Sequence, residues 1–459
     1  MSEKTMNVRA EERVDLEGLN PVPFTHRTMT PFSYATVMWS STIIVQIMVI
    51  GLYQMAPIGK LNFLQVMIAG IVSAVIVSLM MALNGEAGMK YGIPFVMQVR
   101  AAYGTKGAKV VGFIRSIPAI CWNGIAAWIA AEALEVVTQE LFGFSNVWVY
   151  FILVLVLQAV LSWNGVVSIK FFDALVSYVM IGMLLYFFIT AFATGKVDFS
   201  EGMKTAGSWG LPWIAAVMGA IANYTTVLLN IGDLSRHIKP KAADDKSIRK
   251  ASIHSQFLGV IPPWMIMFIS GIIIALATGA TDPIDGLMML APNKFFGIVV
   301  MLFIACAQIS SNLTEDIVPP AMAFQDCFKT TWRQGVIIVT VLSVVTFPWV
   351  LFDSEYFFVF QNIYSSFLGP ILGVLIADYF VFRKRTLNIK ELYNGKAYEY
   401  AGGFAPLAII TTLAGAVVSF IFLDYSWLVG FPFSFVFYIF LKKFTKAERK
   451  YEEEQGIEI

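Results

Sequence analysis

Polar side chains stand in the middle of long apolar stretches at several places in this 459-residue chain. Pro118, Trp122-Asn123-Gly124 and Glu132 fall within one stretch, and Asn223-Tyr224-Thr225-Thr226 with Asn230 within another. Gln308-Ile309-Ser310-Ser311-Asn312 and Glu315-Asp316 fall within a third, and Trp39-Ser40-Ser41-Thr42 within a fourth. Flat aromatic faces stack on planar solutes, and amides and carboxylates read hydrogen-bonding edges. Hydroxyls beside freed backbone carbonyls can hold a hard cation. Covalent or metal chemistry is poorly supplied. His26, His237 and His254 lie in tails or at the ends of stretches, and no histidine–carboxylate cluster falls inside one. No phosphate-cradling Gly-Lys-Ser/Thr loop is present. Cys121, Cys306 and Cys327 are too few and too scattered for a disulfide framework or a metal site.

The elements that must position these groups are membrane spans. A chain that is 58% apolar, 14% aromatic and 14% charged is not an ordinary soluble protein. Stretches long enough to cross a bilayer fall near 33–57, 61–83, 109–137, 146–163, 166–194, 211–232, 255–279, 296–318, 335–351, 356–382, 403–422 and 427–441. In hydrocarbon an unpaired polar group costs several kcal/mol, so the polar interruptions are expected only where protein walls a cavity. Clustered at membrane depth, they mark a solute pathway.

Charge placement orients the bundle. With the N-terminus inside, only Lys60, Lys196, Lys204 and Lys294 of the 32 Lys and Arg fall outside. Both ends are then cytoplasmic, in a cell membrane. Residues 1–30 form a polar tail with no cleavable signal pattern. Residues 31–400 form the transport core, 401–441 two additional spans and 442–459 a second tail. The first and sixth spans, and the third and eighth, carry matching polar interruptions five spans apart, as two inverted five-helix repeats would. The expected fold is all-α and integral to the membrane: about twelve helices, a five-plus-five inverted repeat and two extra C-terminal helices. Gly and Pro in Tyr91-Gly-Ile-Pro-Phe95 are expected to break any helix before the third span.

Four segments carry a family resemblance. They are Gly92-Ile-Pro-Phe95 with Arg100-x-x-Tyr-Gly104 and Gly107-Ala108, then Trp122-Asn-Gly124, then Leu229-Asn-Ile-Gly-Asp-Leu-Ser-Arg236. The last is Leu368-Gly-Pro-Ile-Leu-Gly-Val-Leu-Ile-Ala-Asp-Tyr379 with Arg383-Lys384. Together the chain resembles the first class of nucleobase–cation symporters, from about Arg27 to Tyr393. The resemblance implies the inverted-repeat fold of the leucine and hydantoin transporters, with solute and cation bound between the repeats. It implies a symporter, not an enzyme, for a purine, pyrimidine, hydantoin or allantoin, coupled to sodium or protons. Its partners are then a small heterocycle, the coupling ion and the bilayer, with no nucleic acid and no cofactor beyond a sodium ion.

The same resemblance assigns residues. Trp122 matches the aromatic that stacks on the solute, Tyr224 a second sandwiching ring, and Gly124 and Gln308 neighbouring wall positions. Two departures stand out: a ring-reading Gln of the family is here Ala126, and a hydrogen-bonding Asn is Asp316. The cation site falls on the hydroxyls of Ser310 and Ser311 and the carbonyl of Ala307, facing carbonyls freed near Trp39 to Ile43, Thr42 among them. Asp316 has three readings: an acceptor for the solute, a proton carrier, or a local cap beside Pro319-Pro320. Glu132 is a second intramembrane acid of interest. Glu135 and Asp378, near span ends, read as reaching water or capping, and Asp233 with Arg236 as a structural ion pair. A carrier of the same fold for another organic solute is the alternative. A channel is disfavoured because no ring of filter residues appears.

Overall fold

The structure is a computed structural model. It describes residues 19–163, 170–193, 195, 197, 199–353, 356–394, 397–445 and 451. The start of the fifth expected span and most of both tails lie outside the described residues.

Among the described residues, twelve apolar helical segments are present. Seven are single long helices: Phe63–Tyr91, Phe95–Phe142, Leu211–Asn230, Asp245–Thr278, Lys294–Asn312, Phe357–Phe382 and Leu423–Phe444. Four are shorter: Val147–Ser162, Val179–Ala193, Trp332–Val344 and Pro406–Ile421. The first span is a bent pair, Pro31–Thr42 and Val45–Gln54, meeting at 61°. The remaining described helices are short connectors. Side-chain caps start many spans and satisfy amide donors that no helix turn can reach. Asn62 and Gln65 form a reciprocal capping box before the second span, Thr30 caps the first, and Asn146 and Asn293 cap the fourth and eighth.

Where the helices break differs from expectation. The first span is broken at Ile43 and Ile44, whose ψ values of 71° and 146° leave the helical region. The third runs through Pro118, Trp122 and Glu132 without a break, and its one non-helical residue is Gly104, with φ of 81°. A side chain there would meet the Gly403 carbonyl at 2.6 Å, so the kink needs glycine. The Gly92–Pro94 break is real, but Phe95–Tyr103 is helical and leads into the span. The sixth span is continuous from Leu211 to Asn230. Its interruption comes at Ile231, past the polar group at 223–226. The eighth is interrupted as a wider π-turn at Leu313–Ile317, which contains Glu315 and Asp316. The ninth ends early, at Val344, before a short Pro348–Leu351 turn.

Close packing fixes these pieces. The first and seventh spans touch through Gly51 and Gly271, whose absent side chains would sit 2.2 Å from the Phe268 carbonyl and 1.9 Å from the Met48 carbonyl. The last two spans pack on the tenth. Asp378 neither reaches water nor caps there: it is buried and accepts from Arg383, from the Tyr438 hydroxyl at 3.0 Å and from Lys442 Nζ at 3.0 Å. Arg383 also donates to the Ala101 carbonyl at 2.6 Å and the Tyr400 hydroxyl at 2.8 Å. That network ties the third, tenth and twelfth spans together at one end of the bundle.

Candidate functional site

A cavity lies where the break in the first span meets the third, sixth and eighth spans. The first contributes Ile44 and Gln46, the third Trp122, the sixth Asn223, Tyr224 and Thr226. The eighth contributes Ser311 and Asn312, and its π-turn Glu315 and Asp316. The volume is about 20 Å³, room for about one water. A ring-sized solute therefore requires the walls to part.

Trp122 is held by its surroundings. Its indole N–H donates to the Tyr364 hydroxyl at 3.2 Å, and that hydroxyl donates to the Ala222 carbonyl at 2.8 Å. Phe357, Phe360 and Tyr364 meet its ring edge-on, at centroid distances of 5.9, 5.5 and 6.5 Å. A ring braced this way presents a fixed face at low conformational cost. Tyr224 is fixed as firmly: its hydroxyl lies 2.7 Å from the Thr42 hydroxyl, and its ring packs edge-to-face on Trp264 at 5.4 Å.

Not every expected wall residue reaches the cavity. Gly124 faces the other way, since a side chain there would meet Thr346 Oγ1 at 2.5 Å and the Ser343 carbonyl at 2.8 Å. Ala126 is buried away from the lining. Gln308 acts one step back, donating to Gln46 Oε1 at 3.1 Å and so orienting a residue that does line the cavity. Glu132 accepts from the Trp128 indole at 2.6 Å, among the rings of Trp148 and Trp349. Glu135 accepts from Ser145 at 2.7 Å. Neither acid lines this cavity. Of the acids singled out, Asp316 alone is on the wall.

The expected cation residues also separate. Thr42 ends the first half-span, where the last carbonyls have no helical partner. Ser311 lines the cavity, with its hydroxyl 3.3 Å from the Gln308 carbonyl, and Ser310 and Ala307 are buried in the turn just before. Hydroxyls and free helix-end carbonyls are the kind of oxygen donor that a hard cation takes. Trp39 does not belong to that set by its side chain, which donates to the Leu258 carbonyl at 2.8 Å, and its own carbonyl accepts from Ile43 at 2.9 Å.

Comparison with known proteins decides the family. The model of permeases for cytosine/purines, uracil, thiamine and allantoin matches residues 21–441. The chain belongs to this family. It is a multi-pass membrane permease and not an enzyme. It is 29% identical over 407 residues to the allantoin permease of Bacillus subtilis, covering 79% of this chain and 80% of that one. It is 24% identical over 420 residues to the hydantoin permease of Microbacterium maritypicum, covering 89% and 85%. Among solved structures it resembles Mhp1, a nucleobase-cation-symport-1 family transporter, closed with bromovinylhydantoin bound. The TM-score is 0.84 at 23% identity, covering 95% of this chain and 98% of that one. A sodium-coupled sialic acid symporter follows at 0.66 and 12%, covering 95% and 94%. The inverted-repeat fold expected from sequence is thus the fold observed.

Within this permease, sequence reading missed Arg115 and gave Glu315, named only as part of a polar interruption, no role of its own. By span count Arg115 falls on the cytoplasmic side, yet it is fully buried inside the bundle. Its guanidinium donates to Asn230 Oδ1 at 2.7 Å and to the carbonyls of Glu315 at 3.2 Å and Thr226 at 3.3 Å. Asn230 in turn donates to Asp233 at 3.3 Å, whose other oxygen accepts from the Phe95 amide at 2.7 Å. Asp233 therefore caps the helix that begins the third segment. Arg236 is an electrostatic neighbour of it and donates to its carbonyl at 3.2 Å. The Glu315 carboxyl lies beside Ser41, and Arg115 faces both Glu315 and Asp316 electrostatically. A lone Arg inside an apolar stretch was the available signal, since intramembrane charges are paired or functional.

Proposed function

We propose that this permease is a cell-membrane symporter that imports a small N–H-rich heterocycle of the nucleobase, hydantoin or allantoin class, coupled to sodium. The observation that carries the reading is one cavity bounded by a braced Trp122, by Tyr224, by the Asp316 carboxyl and by the Gln46 amide. Two rigid aromatic faces suit a flat ring. A carboxylate suits ring N–H and amino groups, and the Gln46 amide N–H groups suit ring carbonyls.

Sodium would sit on Ser310, Ser311 and the carbonyls of Ala307 and Thr42, bridging the eighth span to the break in the first. Occupancy there stabilises one arrangement of the two spans, which also shapes the solute wall, so each ligand raises the other's affinity. Both termini face the cytoplasm, as the Lys and Arg asymmetry supports. Proton coupling is the second reading, favoured by the buried Glu315 and the half-buried Asp316 on the cavity wall.

The test is uptake by the purified chain in proteoliposomes. Radiolabelled cytosine, uracil, allantoin and hydantoin are offered under an inward sodium gradient or an inward proton gradient. Saturable accumulation of one of them driven by sodium supports the reading. Accumulation driven by protons alone moves the coupling to the acids. No saturable uptake of any contradicts it.

A further inference from the structure

A groove of about 440 Å³ lies where the eighth span turns into the ninth, within the size range of small-ligand pockets. Phe328 closes the eighth span, Lys329 and Thr330 make the turn, and Gln334, Ile337 and Ile338 belong to the first turns of the ninth. The turn is tight. Lys329 takes a left-handed conformation, with φ of 57°, and its amide donates to the Gln325 carbonyl at 3.1 Å. Lys329 therefore stands at the polar end of the groove, and Ile337 and Ile338 lie deeper along the span. None of these residues lines the solute cavity.

The groove is amphipathic. Phe328 is 61% exposed and Ile337 45%, and Val341, one turn on, is 59% exposed. In a bilayer, hydrocarbon covers such a stripe. The polar end is positive and uncompensated. Lys329 is one of the six lining residues, and none of the six is a carboxylate. Asp326, the nearest acid along the chain, is buried and held by Arg100 at 2.7 Å. A second amine comes from the third span. The Lys109 carbonyl accepts from Cys327 Sγ at 3.3 Å, and Lys109 and Lys329 are both electrostatic neighbours of that thiol. Phe113, four residues beyond Lys109 and on the same helix face, meets Phe328 edge-on with ring centroids 6.3 Å apart. Two lysines from different spans thus converge on one end of an apolar groove. Amines at this level attract negatively charged head groups, and their long stems lie along apolar surface.

We propose that this groove holds one anionic phospholipid of the surrounding bilayer, its phosphate between Lys109 and Lys329 and an acyl chain along Phe328, Ile337 and Ile338. A zwitterionic lipid would bring a cation of its own to the two lysines, so the site selects for net negative charge. The proposal stands apart from the identity of the solute and of the coupling ion.

The experiment is native mass spectrometry of the purified full chain, stripped of lipid in detergent. It is titrated with phosphatidylglycerol or with phosphatidylcholine of the same acyl chains. Wild type is expected to take up one phosphatidylglycerol at a concentration about tenfold below that needed for phosphatidylcholine. Lys109→Gln with Lys329→Asn should erase that preference, and Asn tolerates the left-handed turn. Ile337→Trp fills the groove from an exposed position and keeps both charges. It should weaken uptake of phosphatidylglycerol by about tenfold. Lys246→Gln with Lys250→Gln removes two exposed charges from the seventh span, which contributes nothing to the groove, and should leave the preference intact. Equal uptake of the two lipids by wild type overturns the proposal. So does an equal loss of preference in the seventh-span variant, which would reduce the effect to net charge. Inorganic phosphate that competes as well as phosphatidylglycerol would assign the lysines to a free anion and overturn the lipid too.

Discussion

The hydroxyls of Tyr224 and Thr42 meet at 2.7 Å, joining the ring that walls the solute cavity to the residue that ends the first half-span. Tyr224 is also within 3.4 Å of the Ser41 carbonyl, in the same broken turn. The proposed solute wall and the proposed cation carbonyls therefore share one contact. Tyr224→Phe keeps the ring and removes the link. A neutral hydrogen bond contributes about 0.5–1.5 kcal/mol net, so the sodium concentration for half-maximal binding should rise about two- to tenfold. Affinity at saturating sodium should change little. A sodium titration of solute binding checks both.

Ser310→Ala and Ser311→Ala each remove one hydroxyl from the proposed cation set. Each should weaken sodium dependence more than solute recognition, with transport recovering at high sodium. Uptake measured against sodium concentration gives the answer. Wild-type uptake indifferent to sodium would make these serines structural.

Asp316→Asn distinguishes the roles open to this carboxylate. If it accepts from the solute, the variant keeps transport but shifts its preference between amino- and oxo-substituted rings. If it carries a proton, the variant loses gradient-driven accumulation and keeps counterflow exchange. The position of Asp316 on the cavity wall favours the first outcome. Unchanged affinity, selectivity and pH dependence would make it a local cap.

Arg115 is the buried cation that faces Glu315 and Asp316. Removing one partner of a buried charge group costs about 3–5 kcal/mol, because the other is left uncompensated. Arg115→Met should therefore lower the melting temperature and the monodisperse yield. Adding Glu315→Gln to that variant should recover part of the loss. Full additivity of the two changes, seen in thermal melts, would show that the groups do not interact.

The spans were legible in the sequence because hydropathy and Lys/Arg placement act over twenty residues at a time. The breaks were not. Tyr224 and its polar neighbours read as an interruption, yet the sixth span stays helical through them: the Tyr224 hydroxyl meets Thr42 of the first span, and the Thr225 hydroxyl donates back to the Ile221 carbonyl of its own helix. Ile43 and Ile44 look like ordinary apolar residues, and the first span breaks there. Polar content marks where helices face a cavity, not where the backbone opens. Trp122 and Asp316 were identified from family pattern and stand on the wall. Gly124 and Ala126 were carried with them, but a helix turns 100° per residue, so neighbours in sequence need not share a face. Arg115 was overlooked because it was counted as a topology signal rather than weighed as a buried charge.

The central claim is that Trp122 forms the face on which the solute lies, in a cavity coupled to sodium. The most direct measurement is solute binding to purified Trp122→Ala at low and at saturating sodium, with monodispersity verified. Loss of an aromatic stack in a dry site costs about 1 kcal/mol beyond lost area, so affinity at this site should fall by well over about fivefold, and added sodium should not restore it. Unchanged, sodium-responsive affinity in Trp122→Ala would contradict the account.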